Sequence, residues 1–233
     1  MSSLAIIIPL YNPHNDWFDA ICNSIAGLDS FLKDVEYSVV LVNDGSTAFD
    51  ESYIEKLIAK TNKVVYISYA LNQGKGYAIR FGLSKTRADY YVYTDIDFPF
   101  GYEVIINMHR IFTSSHTNLI IGIRNKEYFN LLPIKRKMLS IALHNINFVL
   151  TGFKVHDTQA GIKGFDNEAK KEFLATRTNG FLFDLEFIRR CLQKRLKYSI
   201  IKIHPRPEIK FSDFRTSVVK RELKNLVKII FRF

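Results

Sequence analysis

The sequence predicts an α/β protein: a doubly wound, mostly parallel sheet flanked by helices, with a Rossmann-like nucleotide-binding half. Three observations carry this. Strand-like apolar runs alternate with stretches of helical length through the first 125 residues. Each run is almost continuously apolar, as a strand covered on both faces must be. Polar signatures follow directly on the strand ends, where such sheets place their ligands.

In chain order the strand-like runs are Leu4 to Leu10, Tyr37 to Val42, Val64 to Tyr69, Tyr90 to Thr94 and Leu119 to Ile123, all rich in Ile, Val or Tyr. Asp16 to Leu28, Glu51 to Lys60, Lys75 to Lys85 and Tyr102 to Phe112 lie between them and have helical length. The second half is less regular. Pro133 to Leu150 reads as a helix opened by a proline, His156 to Phe165 as a polar loop entering a short strand, and Phe181 to Leu196 as another helix. Pro205 and Pro207 punctuate an extended segment before a final helical stretch, Ser217 to Phe233.

No repeat or linker divides the 233 residues, so one domain is expected. Within it, 1–125 form the regular first half, 126–214 a less regular second half and 215–233 a basic amphipathic helix. Hydrophobic residues at 47% and charged residues at 24% exclude disorder as the main state. No run approaches the ~20 apolar residues that cross a bilayer, and the start lacks the pattern of a secretory signal. Cys22 and Cys191 form no disulfide framework, which points to the cytoplasm. A net charge of +10 calls for anionic partners. Its clusters, Lys135 to Lys137 and the last nineteen residues, interleave with apolar side chains, favouring an anionic membrane surface over nucleic acid.

Four polar strings occupy the strand ends: Pro9-Leu10-Tyr11-Asn12, Asn43-Asp44-Gly45-Ser46, Asn72-Gln73-Gly74-Lys75-Gly76 and Asp95-Ile96-Asp97. Asp95 and Asp97 are hard oxygen ligands spaced to share a divalent cation, which in turn holds a diphosphate. Asp44 offers a carboxylate to the ring N–H of a nucleobase, or an N-cap to the helix that follows. Lys75 between two glycines reaches a phosphate while the backbone approaches closely, or simply turns into a helix. The histidines show no metal-ligand spacing, and the signatures of P-loop proteins, Ser hydrolases and dinucleotide-binding dehydrogenases are missing.

The ordered set of these strings, with Asp157-Thr158-Gln159-Ala160-Gly161-Ile162-Lys163-Gly164-Phe165 and Phe181-Leu182-Phe183-Asp184-Leu185-Glu186-Phe187, resembles the family 2 glycosyltransferases of GT-A fold. The branch it resembles makes polyprenyl- or dolichyl-phosphate sugars. The resemblance implies a nucleotide-sugar site at Pro9, Tyr11, Asn12, Asp44, Lys75 and Asp95, and a Mg or Mn ion on Asp95 and Asp97. It implies an acceptor site at Arg124, Arg136, Ser140, Asp157, Thr158 and Gln159, with Arg136 and Ser140 matching the family's Arg followed four residues later by Ser. Asp95, Asp97, Arg136 and Asp184 are the catalytic candidates. Phe98 and Pro99 follow the carboxylates where relatives carry Leu-Gln, so the metal rests on fewer protein ligands.

The activity implied is inverting, metal-dependent transfer of a hexose from a nucleotide sugar, UDP-glucose in preference, to a polyprenyl phosphate, by a cytoplasmic protein held peripherally at the membrane. One alternative keeps the donor but uses a saccharide hydroxyl in surface polysaccharide synthesis, with Asp184 as general base. Another is a noncatalytic sugar-nucleotide-binding protein. For the last helix, the alternative to membrane binding is that its apolar face packs on the protein itself.

Overall fold

A computed structural model describes residues 2–14, 16–125, 128, 134–152, 154–206, 225, 226 and 229, without the side chains of residues 134–136, 138, 139, 142 and 143. Seven strands form one sheet: β1 (Ser3–Leu10), β2 (Glu36–Asp44), β3 (Val64–Tyr69), β4 (Tyr90–Tyr93), β5 (Leu119–Arg124), β6 (Lys163–Asp166) and β7 (Tyr198–Ile203). Their order is β3-β2-β1-β4-β6-β5-β7. The helices are α1 (Trp17–Phe31), α2 (Ser52–Lys60), α3 (Lys75–Lys85), α4 (Glu103–Ser114), α5 (Ile134–Leu150), α6 (Asn167–Leu174) and α7 (Phe183–Gln193).

Side chains alternate across the strands, as a period of two requires. Leu4, Ile6 and Ile8 of β1 join Tyr37, Val39 and Leu41 of β2 in a core with Trp17, Ile21, Leu28, Leu57 and Ile105, from α1, α2 and α4. Ala5 and Ile7 join Val40 and Val42 on the other face, with Ile79, Leu83, Phe173, Phe183 and Phe187 from α3, α6 and α7. Both faces are covered, so the sheet is doubly wound as predicted. It is parallel through β3, β2, β1 and β4, and again between β5 and β7. β6 runs antiparallel to both β4 and β5.

The register opens the site. β1 pairs with β4 only as far as Ile7 opposite Tyr93, but with β2 as far as Leu10 opposite Asn43. Beyond Ile7 the two central strands part, leaving a crevice at the point where strand order reverses. Pro9 falls in this stretch, past the last β1–β4 pair, where a missing N–H costs no bond to β4. Because β6 is antiparallel, its first residue, Lys163, lies at the same edge as the ends of β4 and β5.

Two elements escape the sequence reading. α6 looks polar in sequence, yet Ala169 and Phe173 are buried, and the Asp166 carboxylate accepts from the N–H groups of Glu168 and Ala169 as an N-cap. β7 is an edge strand whose exposure alternates weakly, beside two prolines. Both cysteines are free. Among the described residues no helix is long and apolar enough to cross a membrane.

Most of the final helical stretch lies outside the described residues. Leu226 and Ile229 are buried, however, in a cluster with Leu182 and Leu185 of the α7 region, flanked by Ile146 and Leu150 of α5. Arg189 Nη1 donates to the Ile229 carbonyl at 3.2 Å. At these two positions the apolar side chains pack on the protein.

Candidate active site

Asp44 ends β2 almost fully buried, and its carboxylate organises the segment before α3. It accepts from Tyr69 Oη at 2.9 Å, Asn72 Nδ2 at 3.0 Å, and the backbone N–H groups of Gln73 and Gly74 at 2.6 and 2.9 Å. Burial, followed by the neighbouring Asp44 charge, raises the Tyr69 phenol well above its ordinary value. The helix-cap alternative for Asp44 is corrected, because α2 begins after Glu51. What Asp44 ties down is the 72–74 loop, a role the linear sequence hides because its partners are 25 to 30 residues away.

Asn12 has a φ of +41° and braces the neighbouring exit from β2. Its Oδ1 accepts from the N–H groups of Thr47 and Ala48, both at 3.0 Å, and its own N–H donates to Ser46 Oγ at 2.9 Å. Half-buried Pro9 leads into it, and exposed Tyr11 lies beside it. The glycines flanking Lys75 permit a close approach to residues 178–183. A Cβ on Gly74 would lie 2.7 Å from the Asn179 carbonyl oxygen, and one on Gly76 would lie 2.6 Å from that of Thr178.

This scaffold delivers Lys75 to Asp95, Nζ to Oδ1 at 2.5 Å. Burial works against the lysine's charge, yet the Asp95 carboxylate, reinforced by Asp184 and Asp97, raises its pKa. Asp97 is exposed, yet partial desolvation of its carboxyl by the surrounding protein, followed by the charge of Asp95, raises it above the usual range. Phe98 turns the chain away at a φ of +45°, its side chain in the core and its N–H on the Asp95 carbonyl at 3.0 Å. Gly161 lies against the pair: a Cβ there would meet Asp95 Oδ2 at 2.4 Å.

Two adjacent carboxylates, one solvent-accessible and with its charge disfavoured, suit a Mg or Mn ion that takes its other oxygens from water and a diphosphate. Among the described residues no third Asp, Glu, His or Cys joins them.

Arg124 and Asp157, both expected at the acceptor, are paired with each other. Nε and Nη2 of Arg124 meet the two carboxylate oxygens at 2.8 and 2.7 Å, and the Arg124 N–H adds a third bond at 2.9 Å. His144 Nε2 of α5 lies 3.6 Å from the same carboxylate. Burial alone would raise the Asp157 carboxyl, but the contacts from His144 and Arg124 hold it far below the usual range. Thr158 is fully buried, with no hydrogen-bond partner for its hydroxyl among the described residues. Gln159 is half-buried, its N–H on Asp157 at 3.3 Å. Ser140 sits half-buried on α5, and the Arg136 side chain lies outside the described residues.

Asp184, in the first turn of α7, is buried. It accepts from the Tyr93 hydroxyl and lies 3.3 Å from Lys163 Nζ. Burial raises its carboxyl and lowers the Lys163 ammonium. Sequence reasoning gave no role to Lys163, Tyr93, Tyr69 or Gly161, although Lys163 and Gly161 stand in one of its motif strings. A lysine amid the apolar and glycine residues of a short strand was the available signal for the first.

The family model for glycosyl transferase family 2 matches residues 5–174. The chain is 30% identical over 224 residues to the dolichyl-phosphate beta-glucosyltransferase of Saccharomyces cerevisiae, covering 86% of this chain and 66% of that protein. It is 27% identical over 183 residues to the UDP-N-acetylglucosamine–dolichyl-phosphate N-acetylglucosaminyltransferase of Methanococcus voltae, covering 71% and 70% of the two. Glucosyl-3-phosphoglycerate synthase of Mycobacterium tuberculosis, solved with Mn2+, UDP and glucosyl-3-phosphoglycerate, superposes with a TM-score of 0.70 at 15% identity, over 99% of this chain and 79% of that one. That likeness is one of fold, and the fold is the GT-A arrangement. With the family model spanning most of its length and its sheet built to the same plan, the chain belongs to glycosyl transferase family 2.

Proposed function

We propose that the protein transfers a hexosyl group, with inversion, from a nucleotide sugar to a polyprenyl phosphate at a membrane surface. The observation that carries the choice of acceptor is the state of Asp184. A saccharide hydroxyl needs a base to take its proton. Asp184, the candidate for that task, is buried and engaged by Tyr93 and Lys163. A phosphate monoester, with a second pKa of ~6, is already largely dianionic at neutral pH and needs none. The dolichyl-phosphate glucosyltransferases among the relatives support the same acceptor class and a glucosyl donor.

An acceptor phosphate oxygen bonds to the anomeric carbon as the bond from that carbon to the diphosphate breaks, and the nucleoside diphosphate leaves. Asp95 and Asp97 would hold a Mg or Mn ion, which supplies positive charge to the departing diphosphate. Lys75, whose ammonium already lies on Asp95, adds a second cation at the same end. Arg136 and Ser140 take the acceptor phosphate, in a half of the protein where Asp157 offsets the charge of Arg124. The net charge of +10 and the Lys135 to Lys137 run support peripheral attachment to an anionic surface.

Donor hydrolysis and transfer are measured against UDP and GDP sugars, with Mn2+, with Mg2+ and in chelator. Cation-dependent turnover with one donor supports the proposal. Full turnover in chelator overturns the metal's part in it, and nucleotide binding without turnover overturns catalysis.

A further inference from the structure

We propose that Lys163 is a positioning residue for the diphosphate end of the site, fixing residues 158–161 against the Asp95–Lys75 pair. The inference rests on the donor-binding reading above and adds to it the group that shapes that wall of the site.

Lys163 opens β6 opposite Tyr93 and is completely buried. A buried ammonium is costly unless each of its three N–H groups finds an acceptor. Here they meet the carbonyl oxygens of Thr158 and Ala160, both at 2.5 Å, and Asp184 Oδ1 at 3.3 Å. The two carbonyls belong to a segment outside helix and strand, so the ammonium supplies the bonding that a ladder would otherwise give. One residue beyond Ala160, the backbone at Gly161 touches the site. A Cβ there would lie 2.4 Å from Asp95 Oδ2 and 3.5 Å from Lys75 Nζ. The space at Asp95 is therefore set by a segment that Lys163 anchors from beneath, and Asp184 holds that anchor in place.

A methionine at 163 retains much of the bulk but takes its donor from the Thr158 carbonyl and leaves the Ala160 carbonyl with only the Ile162 N–H at 2.7 Å, loosening the segment. The substitution also leaves buried Asp184 without its cation, which destabilises the fold, so melting is measured beside binding to separate stability from positioning.

Binding of Mn2+ with UDP is measured by calorimetry, and donor KM and kcat by turnover, for the full chain and for Lys163→Met, Gly161→Ala and Leu57→Ala. Leu57 is buried on α2, in the core of the other sheet face, and serves as the control for general destabilisation. Lys163→Met and Gly161→Ala are each expected to weaken nucleotide binding and raise donor KM by about tenfold or more, with kcat changed much less. Leu57→Ala is expected to lower the melting temperature yet bind within about twofold of the parent. Should Lys163→Met fail to fold, Gly161→Ala decides, because it disturbs the same contact from the solvent side. Parent-like binding in the deciding variant overturns the inference, and so does an equal loss in Leu57→Ala. A parent protein that binds neither UDP nor GDP overturns the donor-binding reading itself, and this inference with it.

Discussion

Lys75 Nζ lies 2.5 Å from Asp95 Oδ1, joining the first residue of α3 to the chain just past β4. The contact places an internal cation on one of the two carboxylates proposed to hold the metal. On that proposal, ammonium and divalent ion would compete for Asp95 while both attracted the diphosphate. Lys75→Met is expected to bind Mn2+ alone at least as tightly as the parent, and Mn2+ with UDP about tenfold more weakly or worse. Calorimetry with and without nucleotide checks this, and a parallel loss of both affinities contradicts it.

Asp97 is expected to set the pH dependence of turnover. Its carboxyl is raised, by burial first and by Asp95 second, so it takes up a proton at higher pH than an ordinary carboxyl. A metal binds the deprotonated form. Turnover is expected to fall on acidification before ordinary carboxylates titrate, and added Mn2+ should move that fall to lower pH. Asp97→Asn should lose the Mn2+ response while melting like the parent, since the side chain reaches solvent.

The Arg124–Asp157 pair makes the opposite prediction for stability. The folded Asp157 carboxyl lies far below its unfolded value of 3.8, so its contribution is complete above that value and is lost as pH falls through it toward the folded pKa. Asp157→Asn removes the carboxylate charge that faces the largely buried Arg124 guanidinium, at a cost of about 3 kcal/mol. Urea unfolding from neutral pH downward should show the parent losing more stability on acidification than the variant.

Asp44→Asn tests the loop that presents Lys75. The amide retains the shape but lacks the charge and the acceptor pair that hold the Gln73 and Gly74 N–H groups. A cost of about 1–3 kcal/mol is expected. Faster amide exchange at Gln73 and Gly74 should accompany it, with exchange in β1 unchanged.

Much of the fold was legible because β1 to β5 are apolar and separated by clear helices: Val64–Tyr69 and Lys75–Lys85 match their sequence bounds. The direction of β6 was not, since four residues carry no sign of which neighbour they pair with. The ordered polar strings all lie at one edge of the sheet, where β1, β2, β3 and β4 end. What they hid was that several of their side chains bind one another. Asp44 with Gln73, Asn12 with Thr47, and Arg124 with Asp157 are contacts across 29, 35 and 33 residues, invisible to any local pattern. The Leu226 and Ile229 contacts depend likewise on α5 and α7 arriving beside them.

The central claim is that the acceptor is a lipid phosphate. Its most direct test supplies radiolabelled UDP-glucose, Mn2+ and polyprenyl phosphate in anionic vesicles, then partitions the products between organic solvent and water. The expected result is label entering the organic phase in proportion to the polyprenyl phosphate added, and none when the free alcohol replaces it. Label recovered only in water-soluble saccharide, at a rate indifferent to the lipid phosphate, contradicts the claim.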